Sequence, residues 1–133
     1  MRDEGFLIDT TVWVDYLRGR DEPLRDRVAS MVNDDRAFTS EIVILEILRG
    51  AKSEKEYRML QEDFLALPRL SMDSEAWEIA WRNSFLFRKR GLNIPIVDTL
   101  VSSLAIRHGC TLVHADRHFS QLPQYVQIKT LQL

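Results

Sequence analysis

A chain of 133 residues is long enough for one domain that buries well over half of its unfolded surface, and its single cysteine excludes an internal disulfide framework. Residues 42–48 are the longest apolar run, are broken by Glu46, and fall far short of the roughly 20 residues that a membrane span needs. A formal net charge of −2 excludes a domain that grips nucleic acid by bulk electrostatics alone, but not a nuclease whose carboxylates gather a divalent cation.

Arg2, Asp3 and Glu4 leave only Phe6, Leu7 and Ile8 before Asp9, too little for the apolar core of a signal peptide. With one cysteine and no such leader, the expected location is the cytoplasm.

The apolar run 6–8 ends in Asp9, and two threonines then open a helically spaced segment that stops at Arg18 and Gly19. This predicts strand, acidic turn and helix. Asp21, Glu22 and Pro23 start a second helix that ends near Asn33. Residues 36–39 predict a short buried strand, and Ser40 and Glu41 begin a helix closed by Gly50. Ser53 and Glu56 have capping-box spacing ahead of Tyr57, Leu60, Phe64 and Leu67.

Residues 69–72 predict another short strand. Asp73 or Ser74 caps a long helix carrying Trp77, Ala80, Trp81 and Phe85, closed by Gly91. Val97, Leu100, Val101, Leu104 and His108 define a helix that stops at Gly109, residues 110–113 a strand, and residues 125–128 a last strand. Helices and strands alternate throughout, so the expected class is α/β, a mostly parallel central sheet flanked by helices, in one domain spanning 1–133.

Most acidic residues belong to solvated faces, and four need separate weighing. Asp9 reads equally as a helix cap or as a carboxylate facing the crevice beyond the strand ends, where open α/β sheets place their chemistry. If Thr10 or Thr11 caps, Asp9 is free. Glu46 has Ile42, Val43, Arg49 and Gly50 at helical spacing, so it is paired with Arg49, bound to metal, protonated or on a cleft wall. Asp98 suits the first turn of its helix and shares a small, polar face with Ser102 and Ala105. Asp116 follows a strand as Asp9 does, and either caps residues 117–122 or faces the same crevice.

Hard oxygen donors of this kind suit Mg²⁺ or Mn²⁺, and such a site favours phosphodiester hydrolysis. Cys110, His114 and His118 recur at intervals of four, but a strand running into a turn does not stack them as zinc ligands. Cys110 then belongs to the core and the histidines to the turn. Arg88, Lys89 and Arg90 are what a helix C-terminus favours, and Trp77 and Trp81 read as core or dimer surface rather than a base-stacking platform.

Ile8-Asp9-Thr10-Thr11-Val12-Trp13, Thr39-Ser40 with Glu46-Ile47-Leu48-Arg49-Gly50, Asp98-Thr99-Leu100 and Leu112-Val113-His114-Ala115-Asp116-Arg117-His118-Phe119 resemble the successive motifs of PIN-domain ribonucleases. Their order and spacing are most similar to the VapC-type toxins of toxin–antitoxin pairs. The resemblance implies an acidic quartet of Asp9, Glu46, Asp98 and Asp116 around Mg²⁺ or Mn²⁺, with Thr11 orienting Asp9 and Arg117 beside the site. It further implies endonucleolytic cleavage of RNA, a homodimer, and a cognate antitoxin that covers the site. His114 stands where the family commonly has Thr.

Two other classes are weighed. A receiver-type signalling module binds Mg²⁺ through paired acids after its first strand and uses a late lysine, whereas here Asp9 is single and Lys129 lies nearly at the C-terminus. An inactive, RNA-binding PIN-like descendant has no need of four retained carboxylates.

Overall fold

The computed structural model describes residues 5–133. The signal-peptide reading, which rests on residues 2–4, lies outside them. No described helix is long and apolar enough to cross a membrane.

Four parallel strands form one sheet in the order β2-β1-β3-β4. The inner pair, β1 (Phe6–Ile8) and β3 (Thr111–His114), carries Leu7, Ile8, Leu112 and Val113, all fully buried. Such unbroken apolar runs are what a strand covered on both faces requires. Ile8 pairs with Val113, and the Asp9 amide donates to the Val113 carbonyl at 2.9 Å. Asp9 and the turn after His114 therefore leave the two central strands at the same level, side by side.

The helices begin and stop where their sequence signals stand. Gly19 (φ 66°) ends α1 (Thr10–Arg18) in the left-handed region that favours glycine. Asp21 caps α2 (Glu22–Asn33) by accepting from the Leu24 amide. After β2 (Ala37–Phe38), the Ser40 hydroxyl accepts from Val43 to start α3 (Glu41–Arg49). Ser53 accepts from Glu56 at the head of α4 (Glu54–Leu65), and Asp73 from Ala76 at the head of α5 (Ser74–Lys89). The long, largely buried α6 (Ile96–His108) packs beside α5 and ends at Gly109 (φ 67°). Its Ser102 and Ser103 are buried with both hydroxyls bonded to the Thr99 carbonyl, so the small face of this helix serves close packing.

Two expectations need correction, and α5 settles between core and surface for its aromatics. Residues 69–72 do not form a strand: a single bridge joins Thr39 to Arg69, and the chain then turns as the Asp73 amide bonds the Ser71 carbonyl ahead of α5. The last strand is β4 (Lys129–Gln132), not residues 125–128, because a short helix α7 (Arg117–Ser120) and a 3₁₀ turn at Leu122–Gln124 intervene. The amides of Tyr125 and Val126 bond the Leu122 carbonyl, which commits that segment to the turn. In α5 the core face is Ala76, Ala80, Asn83 and Phe87, while Trp81 and Phe85 are 66% and 65% exposed.

Because β3 is the strand on which the site's turn rests, its packing sets that turn's position. Leu112→Ala is expected to cost about 3 kcal/mol, the range for a large-to-small change in a closed core, measured by urea denaturation.

Candidate active site

Asp9 sits at the N-cap position of α1 with extended backbone angles, yet its side chain makes no capping hydrogen bond. It is buried, and the Thr11 hydroxyl donates to its Oδ2 at 3.0 Å. Burial raises its pKa above the ordinary carboxylate value. The Thr11 hydroxyl and the Thr10 amide pull it back, and the Glu46 charge adds to the rise. Neither threonine caps the helix: Thr11 holds Asp9, and the Thr10 hydroxyl donates to Glu46 Oε1 at 2.7 Å.

Glu46 is exposed rather than enclosed by its apolar helix, because α3 turns Val43, Ile44 and Ile47 inward and leaves Leu45 and Glu46 outside. Among the described residues no ion pair joins it to Arg49. It stands on the wall of a cleft of about 400 Å³ shared with Val14, Leu17, Arg18, Lys52 and Leu60. Thr10 thus ties the head of α1 to the middle of α3 and brings Glu46 toward Asp9.

Asp116 answers to both of its readings. Its Oδ1 caps α7 by accepting from the His118 amide at 3.0 Å, while Oδ2 faces the His118 ring with Nδ1 3.4 Å away. Asp98, in the first turn of α6, brings Oδ2 to 3.8 Å from the same nitrogen. One ligand atom from each of Asp98, Asp116 and His118 lies within 4.8 Å of the others. The Asp98 pKa is pushed up to about 6, first by burial and then by the charges of Asp9 and Asp116. His118 opposes the rise, and Glu46 adds to it. The structure thus brings Asp98 and Asp116 together around His118, while Asp9 and Glu46 reach Asp98 through their charges.

Arg117 is exposed at the start of α7, and among the described residues it makes no hydrogen bond or ion pair with the acids. Buried His114 has a definite task where the family commonly has Thr. Its Nδ1 accepts from the Asp116 amide at 3.3 Å and its ring packs on Phe119, with centroids 5.3 Å apart. Burial lowers its pKa, so the neutral ring that accepts this hydrogen bond is the favoured form. The residue that the sequence did not assign to the acids is His118. Its signal was local, since a side chain two residues beyond a capping aspartate is turned back toward it by the cap.

The PIN domain family profile matches residues 6–124. Ribonuclease VapC19 of Mycobacterium tuberculosis is 32% identical over 120 residues, covering 88% of this chain and 94% of that protein. VapC ribonuclease Mb1587 of Mycobacterium bovis is 29% identical over 127 residues, covering 92% and 95%. Among solved structures, the DNA-bound VapBC of Salmonella typhimurium superposes with a TM-score of 0.83 at 21% identity, covering 98% of each chain. M. tuberculosis VapC20, described as a sarcin-ricin loop cleaving toxin, gives 0.70 at 17% identity over 94% and 99%.

Raised carboxylate pKa values have a definite sign in folding. Between the ordinary value of 3.8 and about 6, the folded chain holds more proton at Asp98 than the unfolded chain does, so stability without a cation falls as pH rises through that window. Asp98→Asn removes the repulsion. At pH 7.5 without metal it is expected to melt roughly 3–5 °C above the wild type, the shift that about 1 kcal/mol gives in a domain of this size. At pH 4, where Asp98 is largely protonated, the difference should shrink, as scanning calorimetry at the two pH values would measure.

Proposed function

Since the chain belongs to the PIN-domain family, we propose that it is the endoribonuclease toxin of a toxin–antitoxin pair, hydrolysing RNA phosphodiesters with Mg²⁺ or Mn²⁺ at Asp9, Glu46, Asp98 and Asp116. The observation that carries the site is geometric: one ligand atom from each of Asp98, Asp116 and His118 lies within 4.8 Å of the others, with the charges of Asp9 and Glu46 also felt at Asp98. RNA as substrate rests on relatives that are themselves ribonucleases over almost their whole length. The antitoxin partner rests on neighbours that are VapBC complexes.

The donor set fits a hard divalent cation: carboxylate oxygens crowd together, and the His118 Nδ1 beside them is buried without a hydrogen-bond partner. Asp98 and Asp116 would hold the ion, with Asp9 directly or through water. An ion bound there would lower the pKa of a water and neutralise charge developing on the phosphate. Thr11 would orient Asp9 through the hydrogen bond from its hydroxyl to Oδ2. Glu46, held through Oε1 by Thr10, leaves Oε2 to orient the water that attacks phosphorus as the P–O bond to the leaving ribose breaks. Arg117, exposed beside the acids in sequence, is available to the RNA backbone.

A receiver-type module fits less well. Lys129 pairs with Thr111 at the amino end of β3, whereas the acids leave the carboxyl ends of β1 and β3.

The chain would work in the cytoplasm as one nuclease domain spanning 1–133 and as a homodimer. The exposed stripe Trp77, Trp81 and Phe85 on α5 supports the dimer. Glu75 and Glu78 lie toward the amino half of that helix and Arg88 and Lys89 in its last turn, so two copies packed antiparallel about a two-fold axis set acid against base. Trp81→Glu is expected to yield a monomer in analytical ultracentrifugation, while a variant that remains dimeric removes α5 from the interface.

Cleavage is tested on purified protein with end-mapped RNA. Wild type with Mg²⁺ or Mn²⁺ should cut at defined positions and stop on chelation, and folded Asp9→Asn and Asp98→Asn should lose on the order of 10²-fold or more in rate. Wild-type rates from folded Asp98→Asn, or cutting that persists under chelation, would remove the metal-site assignment.

A further inference from the structure

Resting on the carboxylate site above, we propose that His118 is a direct nitrogen ligand of the cation and biases the site toward Mn²⁺ over Mg²⁺.

The His118 Nδ1 is sealed from solvent and has no hydrogen-bond partner, although it lies 3.4 Å from Asp116 Oδ2 and 3.8 Å from Asp98 Oδ2. The two carboxylates that face this nitrogen are thus close to it without being bonded to it. Atoms sharing one octahedral ion at about 2.1 Å are about 3 Å apart when adjacent and about 4 Å apart when opposite. The observed separations fall within that span, and all three donors lie within 4.8 Å of one another. The Asp116 carboxylate is itself held beside His118, because the His118 backbone amide donates to its other oxygen at 3.0 Å. The same short helix therefore fixes both a carboxylate and an imidazole on one point.

Imidazole is a common ligand for first-row transition ions, whereas Mg²⁺ keeps to oxygen donors and its own waters. A site of oxygens alone discriminates little between Mg²⁺ and Mn²⁺. Adding one nitrogen at ligand distance favours Mn²⁺.

The test is Mn²⁺ binding to the full-length protein without RNA, read by pulsed electron paramagnetic resonance and by calorimetry. Wild-type protein should show nitrogen modulation from a directly bound imidazole, and selective ¹⁵N-histidine labelling should change its pattern, which decides the matter without any variant. His118→Gln should abolish the modulation and weaken Mn²⁺ by on the order of tenfold, while Mg²⁺ affinity changes by less than twofold. Bound Mn²⁺ that lacks nitrogen modulation, or equal Mn²⁺ affinity in wild type and folded His118→Gln, overturns the proposal. If that Mn²⁺ is lost in Asp98→Asn, the carboxylate site survives and only the histidine assignment falls. If wild type binds no Mn²⁺, or Asp98→Asn binds it as well as wild type, both fall together.

Discussion

Like charges gathered at the end of a buried parallel pair are the constraint from which the rest follows. The register of β1 against β3 puts the acidic turn after Ile8 beside the one after His114, and the bond from the Asp9 amide to the Val113 carbonyl leaves that level no freedom to slip. Carboxylates so placed are desolvated first of all and repel one another besides, which is why Asp9 and Asp98 both have raised pKa values. The apolar strands beneath them provide the stability against which this repulsion is set. A ligand that binds only the folded chain offsets the cost by mass action, so on the proposed reading the cation needed for hydrolysis also relieves the strain in the fold.

Small hydroxyl and imidazole contacts decide how the acids face. Thr11 competes with the helix amides for Asp9 and holds it, so the residue at the N-cap position does not cap. Thr10 reaches across to Glu46 and connects two helices that carry different acids. His114 does for the second turn what Thr11 does for the first, although it works through the Asp116 amide rather than the carboxylate. The result is that each turn has a side chain two residues from its acid that constrains it, Thr11 after Asp9 and His114 before Asp116.

Most of this was legible because the signals are local. Gly19, Gly109, Ser40, Ser53 and Asp73 stop or start helices through bonds among neighbouring residues, and those boundaries were found where the sequence set them. Of the four acids named from sequence, Asp98 and Asp116 stand together, and Asp9 leaves β1 beside the turn that carries Asp116. What failed depends on distant partners. Residues 69–72 and 125–128 are apolar enough for strands, but the first pairs with Thr39 only through the Arg69 bridge and the Leu70 amide before the chain turns at Ser71, and in the second the Leu122 carbonyl takes the Tyr125 and Val126 amides. For Glu46 the sequence left pairing, metal, protonation or a cleft wall open, because helical spacing alone does not say which side of α3 meets α1.

The same limit explains the aromatic residues of α5. Trp77, Trp81 and Phe85 have the spacing of a core stripe, and a helix read alone would bury them in preference to Ala76, Ala80 and Asn83. The opposite happens where α5 packs against the largely buried α6, which turns Ala76, Ala80, Asn83 and Phe87 inward and leaves the aromatics outside. Large aromatic surface is thus displaced outward by the close helix pair whose other end carries Asp98. A face of that kind calls for a covering partner, and on the proposed reading a homodimer through α5 would meet that need and leave the acidic end of the sheet to RNA or to the antitoxin.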